Sequence, residues 1–136
     1  MTQDLSRFTD KNDTVTYNVS DLVVGIDIIE IERIRRALNR FGEKFLRRVY
    51  TEREVEEVKG SVASLGARFA AKEAAMKALG GGITFREVEI RREGEAPHIL
   101  FWGKARERAR RMNLRRVEVS LSHSRDYAVA IVVGEN

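Results

Sequence analysis

Cysteine is absent from this chain of 136 residues, and proline occurs once. Disulfides, thiolate metal sites and a cysteine nucleophile are therefore excluded. Two histidines, His98 and His123, are too few for a three-histidine zinc site. Aromatic residues make up 7% of the chain, which is poor material for the stacking platforms that hold single-stranded nucleic acid. Long hydrophobic runs are also missing. The run Leu22–Ile29 is too short to span a bilayer and contains a glycine and an aspartate. The opening residues MTQDLSRFTDKND hold no secretory hydrophobic core, so the expected setting is a reducing cytoplasm.

What is present suits one ordinary domain: 43% apolar residues for a core and 34% charged residues for a surface. The net charge of +4 conceals local bias. Seven Arg or Lys face two Glu between Ile31 and Arg48, and ten face five between Arg86 and Arg116. Such stretches attract phosphates, nucleic acid or an acidic protein surface, or else form a solvated helix face.

Residues 1–20 are polar without an apolar period and read as a mobile tail before a single domain, 21–136. Leu22–Ile29 reads as a buried strand interrupted by Asp27, whose carboxylate needs a partner, a cation or an exposed strand end. Ile31, Ile34, Leu38 and Phe41 mark an amphipathic helix with arginines on its wet face. Phe45, Leu46 and Val49 mark another short turn, and Thr51-Glu52-Arg53-Glu54 has the form of a capping box. An alanine-rich helix is expected over Leu65–Leu79, capped by Ser64 and closed by Gly80-Gly81-Gly82. Strands are expected at Phe85–Ile90 and Pro97–Phe101, a charged helix at Lys104–Met112, and a final strand pair at Val117–Ser122 and Tyr127–Val133. This order makes α+β the expected class, with a small antiparallel sheet packed on a long central helix.

Glu73 and Lys77 lie four residues apart, so they share one face of the central helix. Alone they read as a helix-stabilising ion pair. The alanines at 70, 71, 74, 75 and 78 let other backbone approach closely, so Glu73 can sit in a packed cleft. Asp27 and Glu73 together would suit a hard cation that keeps several waters. Ser122-His123-Ser124-Arg125-Asp126 invites a Ser-His-Asp reading, but neighbours on one turn cannot form a triad with one another. The turn reads as a polar hairpin tip or as a phosphate or ribose contact.

Val24-Gly25-Ile26-Asp27-Ile28 with Glu30 and Arg33, then Arg68-Phe69-Ala70-Ala71-Lys72-Glu73-Ala74-Ala75-Met76-Lys77-Ala78-Leu79-Gly80, then Val119-Ser120-Leu121-Ser122-His123-Ser124 together resemble the holo-acyl-carrier-protein synthase family. These are the short, bacterial-type phosphopantetheinyl transferases. The resemblance runs from about Leu22 to the C-terminus.

The resemblance implies transfer of phosphopantetheine from coenzyme A to a serine of apo acyl carrier protein, releasing adenosine bisphosphate, in the service of fatty-acid synthesis. It implies Asp27 and Glu73 as Mg²⁺ ligands and Lys77 as a catalytic contact to phosphate oxygens. It implies Arg68, Lys77, Gly80, Gly81, Pro97, His123 and Ser124 as coenzyme A contacts, with Gly82 beside them. Arg33 and Arg40 would dock the carrier's acidic helix. The general base stays open between Asp27, Glu73 and a metal-held water. The implied fold is a homotrimer with active sites at subunit interfaces, and neither nucleic acid nor membrane is an expected partner. Gly94-Glu95-Ala96-Pro97 departs from the family's Gly-Lys-Pro turn, which removes one possible phosphate contact. The rival readings are a basic nucleic-acid module resting on Lys104–Arg111, and a trimer that binds coenzyme A without turnover.

Overall fold

Along Leu22–Glu30 (β1), Val23, Gly25, Asp27 and Ile29 turn inward and the residues between them turn out. In this computed structural model, residues 14–15, 21–94 and 96–136 are described. The tail expected at 1–20 lies outside them, Thr14 and Val15 apart. After β1 come three helices, α1 (Ile31–Phe41), α2 (Glu43–Val49) and α3 (Glu52–Val58). The long helix α4 (Val62–Ala78) follows, then β2 (Val88–Glu93), β3 (Ala96–Phe101), α5 (Gly103–Arg111), β4 (Arg116–His123) and β5 (Tyr127–Glu135).

The strands form two antiparallel groups rather than one sheet. β1, β5 and β4 lie side by side in that order, and β2 pairs with β3 as a separate ribbon. α4 packs on all three strands of the first group and on β2. Its alanines at 70, 71, 74 and 75 are buried, so backbone meets backbone. A Cβ on Gly25 would fall 1.7 Å from the Ala74 carbonyl oxygen. The glycine thus lets β1 press on α4, and Asp27, two residues on, faces the same helix.

Two local expectations are corrected. Ser61, not Ser64, caps α4: its hydroxyl accepts the Ser64 amide at 3.2 Å. The segment Phe85–Glu87 winds into a 3₁₀ turn rather than a strand, because the Glu87 carboxylate accepts the Thr84 amide at 3.0 Å and its hydroxyl at 2.9 Å. The capping box at Thr51 and Glu54 forms as expected.

Glu54 also does more. Its carboxylate and Lys72 of α4 are both wholly buried and paired. Glu54 accepts the Ile90 amide at 2.9 Å and the Thr51 amide at 2.8 Å. The Lys72 ammonium also donates to the Val88 carbonyl. Burial pulls the Lys72 pKa down and Glu54 pushes it back. This network joins α3, α4 and β2, with its charges answered.

The other face of the three-stranded sheet is apolar and open. Val24, Ile26 and Ile28 of β1 stand beside Val133, Ile131 and Val129 of β5, and Ile26 and Ile28 are 60% and 64% exposed.

Candidate active site

The close contact at Gly25 brings Asp27 under the last turns of α4. Lys77 Nζ donates to Asp27 Oδ1 at 2.8 Å and to the Ile26 carbonyl at 3.2 Å. Asp27 keeps only 11% of its side chain exposed, while Lys77 keeps 57%. The bond to Asp27 raises the Lys77 pKa, so the ammonium stays charged. Glu73 stands one turn before Lys77. Burial, and then the Asp27 carboxylate beside it, hold the Glu73 carboxyl above the usual carboxylate range, against Lys77 and Arg33. Two carboxylates thus face each other, with Lys77 bonded to Asp27 and both Lys77 and Arg33 near enough to Glu73 to favour its charge.

This constellation opens into a groove of about 510 Å³ lined by Glu73, Met76, Lys77, Gly80 and Gly81. Gly80, Gly81 and Gly82 have φ of 86°, 82° and 75°, a left-handed path that glycine follows without a Cβ penalty. The Glu73–Lys77 pairing read from helical spacing is therefore modified: Lys77 reaches across to Asp27 on another element. Among the described residues no group of three or more Asp, Glu, His or Cys gathers as a metal cage.

The remaining expected residues lie elsewhere. His123, at the end of β4, lines a second cavity of about 170 Å³ with Arg68, Glu57, Ser64 and Arg92. Arg68 is 5% exposed. It donates to the Ile90 carbonyl at 2.9 Å and pairs with Glu57 at 2.9 Å. Ser124 is exposed, and its amide donates to the Tyr127 carbonyl at 2.9 Å. Pro97 lies on β3 opposite Arg92. Asp27 and His123 occupy β1 and β4, the two edge strands of one sheet. The strands lie roughly 10 Å apart at two strand spacings, and Asp27 is in register through Ala130 with Leu121, two residues before His123. Arg68 and Lys77 are separated by roughly 13 Å of α4. The chain thus carries two separate clusters, one on the β1 side of the sheet and one on the β4 side.

Arg33 and Arg40 are both exposed on α1, and the Arg40 guanidinium lies 5.2 Å from the Phe41 ring centre. Arg33 lies near enough to favour the ionised form of Glu73, closer to the groove than a pure docking role requires. The buried Glu54–Lys72 pair and Arg108 were not among the residues expected from the sequence. Arg108 donates to the Leu79 carbonyl at 2.6 Å and the Gly81 carbonyl at 3.1 Å. A signal for it exists: Arg108 stands in the inward stripe Ala105, Ala109, Met112 at helical spacing.

A family model described as the 4′-phosphopantetheinyl transferase superfamily matches residues 23–132. A holo-[acyl-carrier-protein] synthase of Maridesulfovibrio salexigens is 46% identical over 119 residues, covering 82% of this chain and 96% of its own. The structure of Helicobacter pylori holo-[acyl-carrier-protein] synthase in complex with coenzyme A is similar at TM-score 0.75 and 34% identity, covering 82% of this chain and 99% of that one. That of the Neisseria meningitidis synthase gives TM-score 0.76 and 33% identity, covering 84% of this chain and 98% of that one.

Proposed function

Because the chain belongs to the 4′-phosphopantetheinyl transferase superfamily, we propose that the groove beside Asp27, Glu73 and Lys77 is where it works as a holo-acyl-carrier-protein synthase. The enzyme moves phosphopantetheine from coenzyme A to a serine of apo acyl carrier protein, the modification that readies the carrier for fatty-acid synthesis. The observation that carries the site assignment is the pair of facing carboxylates with Lys77 at the mouth of a glycine-bounded groove.

In the reaction the serine oxygen bonds to the pantetheine-side phosphorus, the pyrophosphate linkage to adenosine bisphosphate breaks, and the serine proton leaves. Lys77 is exposed and charged, so it can bind pyrophosphate oxygens and offset the charge that grows on the leaving group. Gly80 and Gly81 offer backbone without side chains to the nucleotide end, and Pro97, opposite Arg92 on β3, would meet that end together with the residues of the other flank. Asp27 or Glu73 can take the serine proton, directly or through water.

The donor set fits Mg²⁺, which binds through one or two carboxylates and completes its shell with water and phosphate. Asp27 and Glu73 would hold it, and two carboxylates held near each other would gain from the charge of a divalent cation. When bound, the ion supplies charge stabilisation at the pyrophosphate.

Arg68, His123 and Ser124 would bind nucleotide phosphates from the other flank. A homotrimer would account for this division. Its interface would cover the apolar face around Ile26 and Ile28, and a ring of copies would set the β4 flank of one against the groove of the next. Arg33 and Arg40 would receive the acidic carrier. Among the described residues no helix is long and apolar enough to cross a membrane. The proposed setting is the cytoplasm, and residues 21–136 would form the working domain.

The test incubates apo acyl carrier protein with this enzyme, coenzyme A and Mg²⁺ and weighs the carrier by mass spectrometry. The expected result is the added mass of one phosphopantetheine on one serine. No added mass overturns the reading.

A further inference from the structure

Arg108 sits on the inward side of α5, where Ala105 is buried and Ala109 and Met112 are half-buried. A guanidinium there needs acceptors. Among the described residues no carboxylate pairs with it, and its partners are the two backbone carbonyls of Leu79 and Gly81. The end of α4 is closed by the Gly80 amide on the Lys77 carbonyl at 3.1 Å and the Gly81 amide on the Met76 carbonyl at 2.9 Å. That closure leaves the Leu79 carbonyl open, and Arg108 takes it. The guanidinium underlies the loop. A Cβ at Gly80 or Gly82 would lie 3.5 Å or 3.6 Å from its nitrogens. Three successive glycines have no side chains with which to hold themselves, and glycine loses the most freedom on ordering.

The far end of the same segment is tied to the same helix. Glu87 accepts the Thr84 amide at 3.0 Å through Oε1, and through Oε2 it accepts the Lys104 amide in the first turn of α5. Trp102, the cap residue of α5, provides no side-chain bond, so Glu87 serves in its place. A Cβ on Gly103 would fall 2.7 Å from Glu87 Oε2. Gly103 is therefore the residue that lets this second tie form.

From these contacts we infer that α5 is the brace of the groove. Arg108 is a positioning residue, and with Glu87 it holds Leu79–Thr84 in the shape that receives the phosphate-bearing end of coenzyme A. The inference rests on the groove being the coenzyme A site, as proposed above. A loop held before binding does not have to be ordered by the ligand, so affinity is higher. The brace touches neither carboxylate and should leave the chemical step alone.

The test measures coenzyme A binding by calorimetry and steady-state kinetics on the full chain. Arg108→Met should weaken coenzyme A binding about tenfold, equivalent to about 1.4 kcal/mol, with turnover at saturating coenzyme A and the carrier's KM near wild type. Faster amide exchange at Gly80 to Gly82 should accompany it. Arg108→Lys, which lacks the planar fork, should fall between. Gly103→Ala loosens the Glu87 tie and strains the left-handed backbone at the start of α5, but leaves the Arg108 side chain in place. It should give a smaller change in the same direction and carries the test if Arg108→Met does not fold. Wild-type affinity in the folded Arg108 variants overturns the brace, and so does a loss confined to turnover. Failure of the wild-type protein to bind coenzyme A overturns the site reading instead, which keeps the two failures apart.

Discussion

Lys72 and Glu73 are consecutive residues on one helix in opposite surroundings. Lys72 is wholly buried against Glu54, and each of the two charges also has hydrogen bonds to backbone. Glu73 faces another carboxylate at the wall of a groove, and its pKa is pushed up by burial and by that neighbour. Polar groups that are fully answered fix elements in place. Charges left in conflict at an opening can change partner, which is what ion and phosphate chemistry needs. On the proposed reading, the same turn of α4 serves as anchor on one side and as reagent on the other.

Breaking the anchor should have the largest effect. Glu54→Ala leaves the Lys72 ammonium buried without its counter-ion and should cost about 3–5 kcal/mol of stability, read from urea unfolding. A loss well under that would mean that the pair is not the anchor. On the groove side, Glu73→Gln keeps shape and removes one charge of the proposed metal-binding pair. Turnover should fall roughly a hundredfold, or about 3 kcal/mol. In the absence of Mg²⁺ its melting temperature should rise, since a like-charge conflict is removed, and the stabilisation Mg²⁺ gives the wild type should shrink. Lys77→Ala should lower turnover more than coenzyme A affinity, because the charge it answers grows as the pyrophosphate bond breaks. A raised KM with unchanged kcat would make it a plain binding residue.

Further from the groove the effects should shrink and become sensitive to salt. Arg33→Glu with Arg40→Glu should raise the carrier's KM at least about tenfold, some 1.4 kcal/mol, mostly at low ionic strength. Coenzyme A affinity should change little in Arg40→Glu alone, which leaves Arg33 beside Glu73. An unaltered carrier constant at low salt would remove the docking role. The smallest effect concerns acid. Burial pushes the Glu57 and Glu89 carboxyls up, but hydrogen bonds from Arg92, Arg53 and Arg68 to Glu57, and from Thr51 and Arg91 to Glu89, outweigh it and hold both below 4.5. The unfolded chain then takes up protons more readily, so the stability they give is present above 4.5 and lost as pH falls below it. A melting temperature that rises on acidification through that window would contradict the assignment.

Much of this was legible from residue order because its causes are local. The alternation in β1, the box at Thr51 and Glu54, and the alanine face of α4 all act within a few residues. The facing of Asp27 and Glu73 was legible as a motif, and its cause is Gly25, whose missing Cβ admits the Ala74 carbonyl. What escaped depends on contacts far along the chain. Lys72 reads like any lysine until Glu54, 18 residues away, meets it. Arg108 reads as one more charge on a basic helix until its guanidinium reaches Leu79, 29 residues back. Local propensity expected a strand at Phe85, but the side chain of Glu87 folded that segment into a turn.

The most direct measurement compares Lys72→Met and Glu73→Gln side by side, taking turnover per folded molecule and the urea midpoint from the same preparations. The account predicts a crossing. Lys72→Met strands a buried carboxylate and loses about 3 kcal/mol of stability, yet what remains folded turns over near the wild-type rate. Glu73→Gln keeps or raises its midpoint and loses turnover. If both variants lose stability and turnover together, or if Glu73→Gln retains near wild-type turnover at limiting Mg²⁺, the division between anchor and reagent is contradicted.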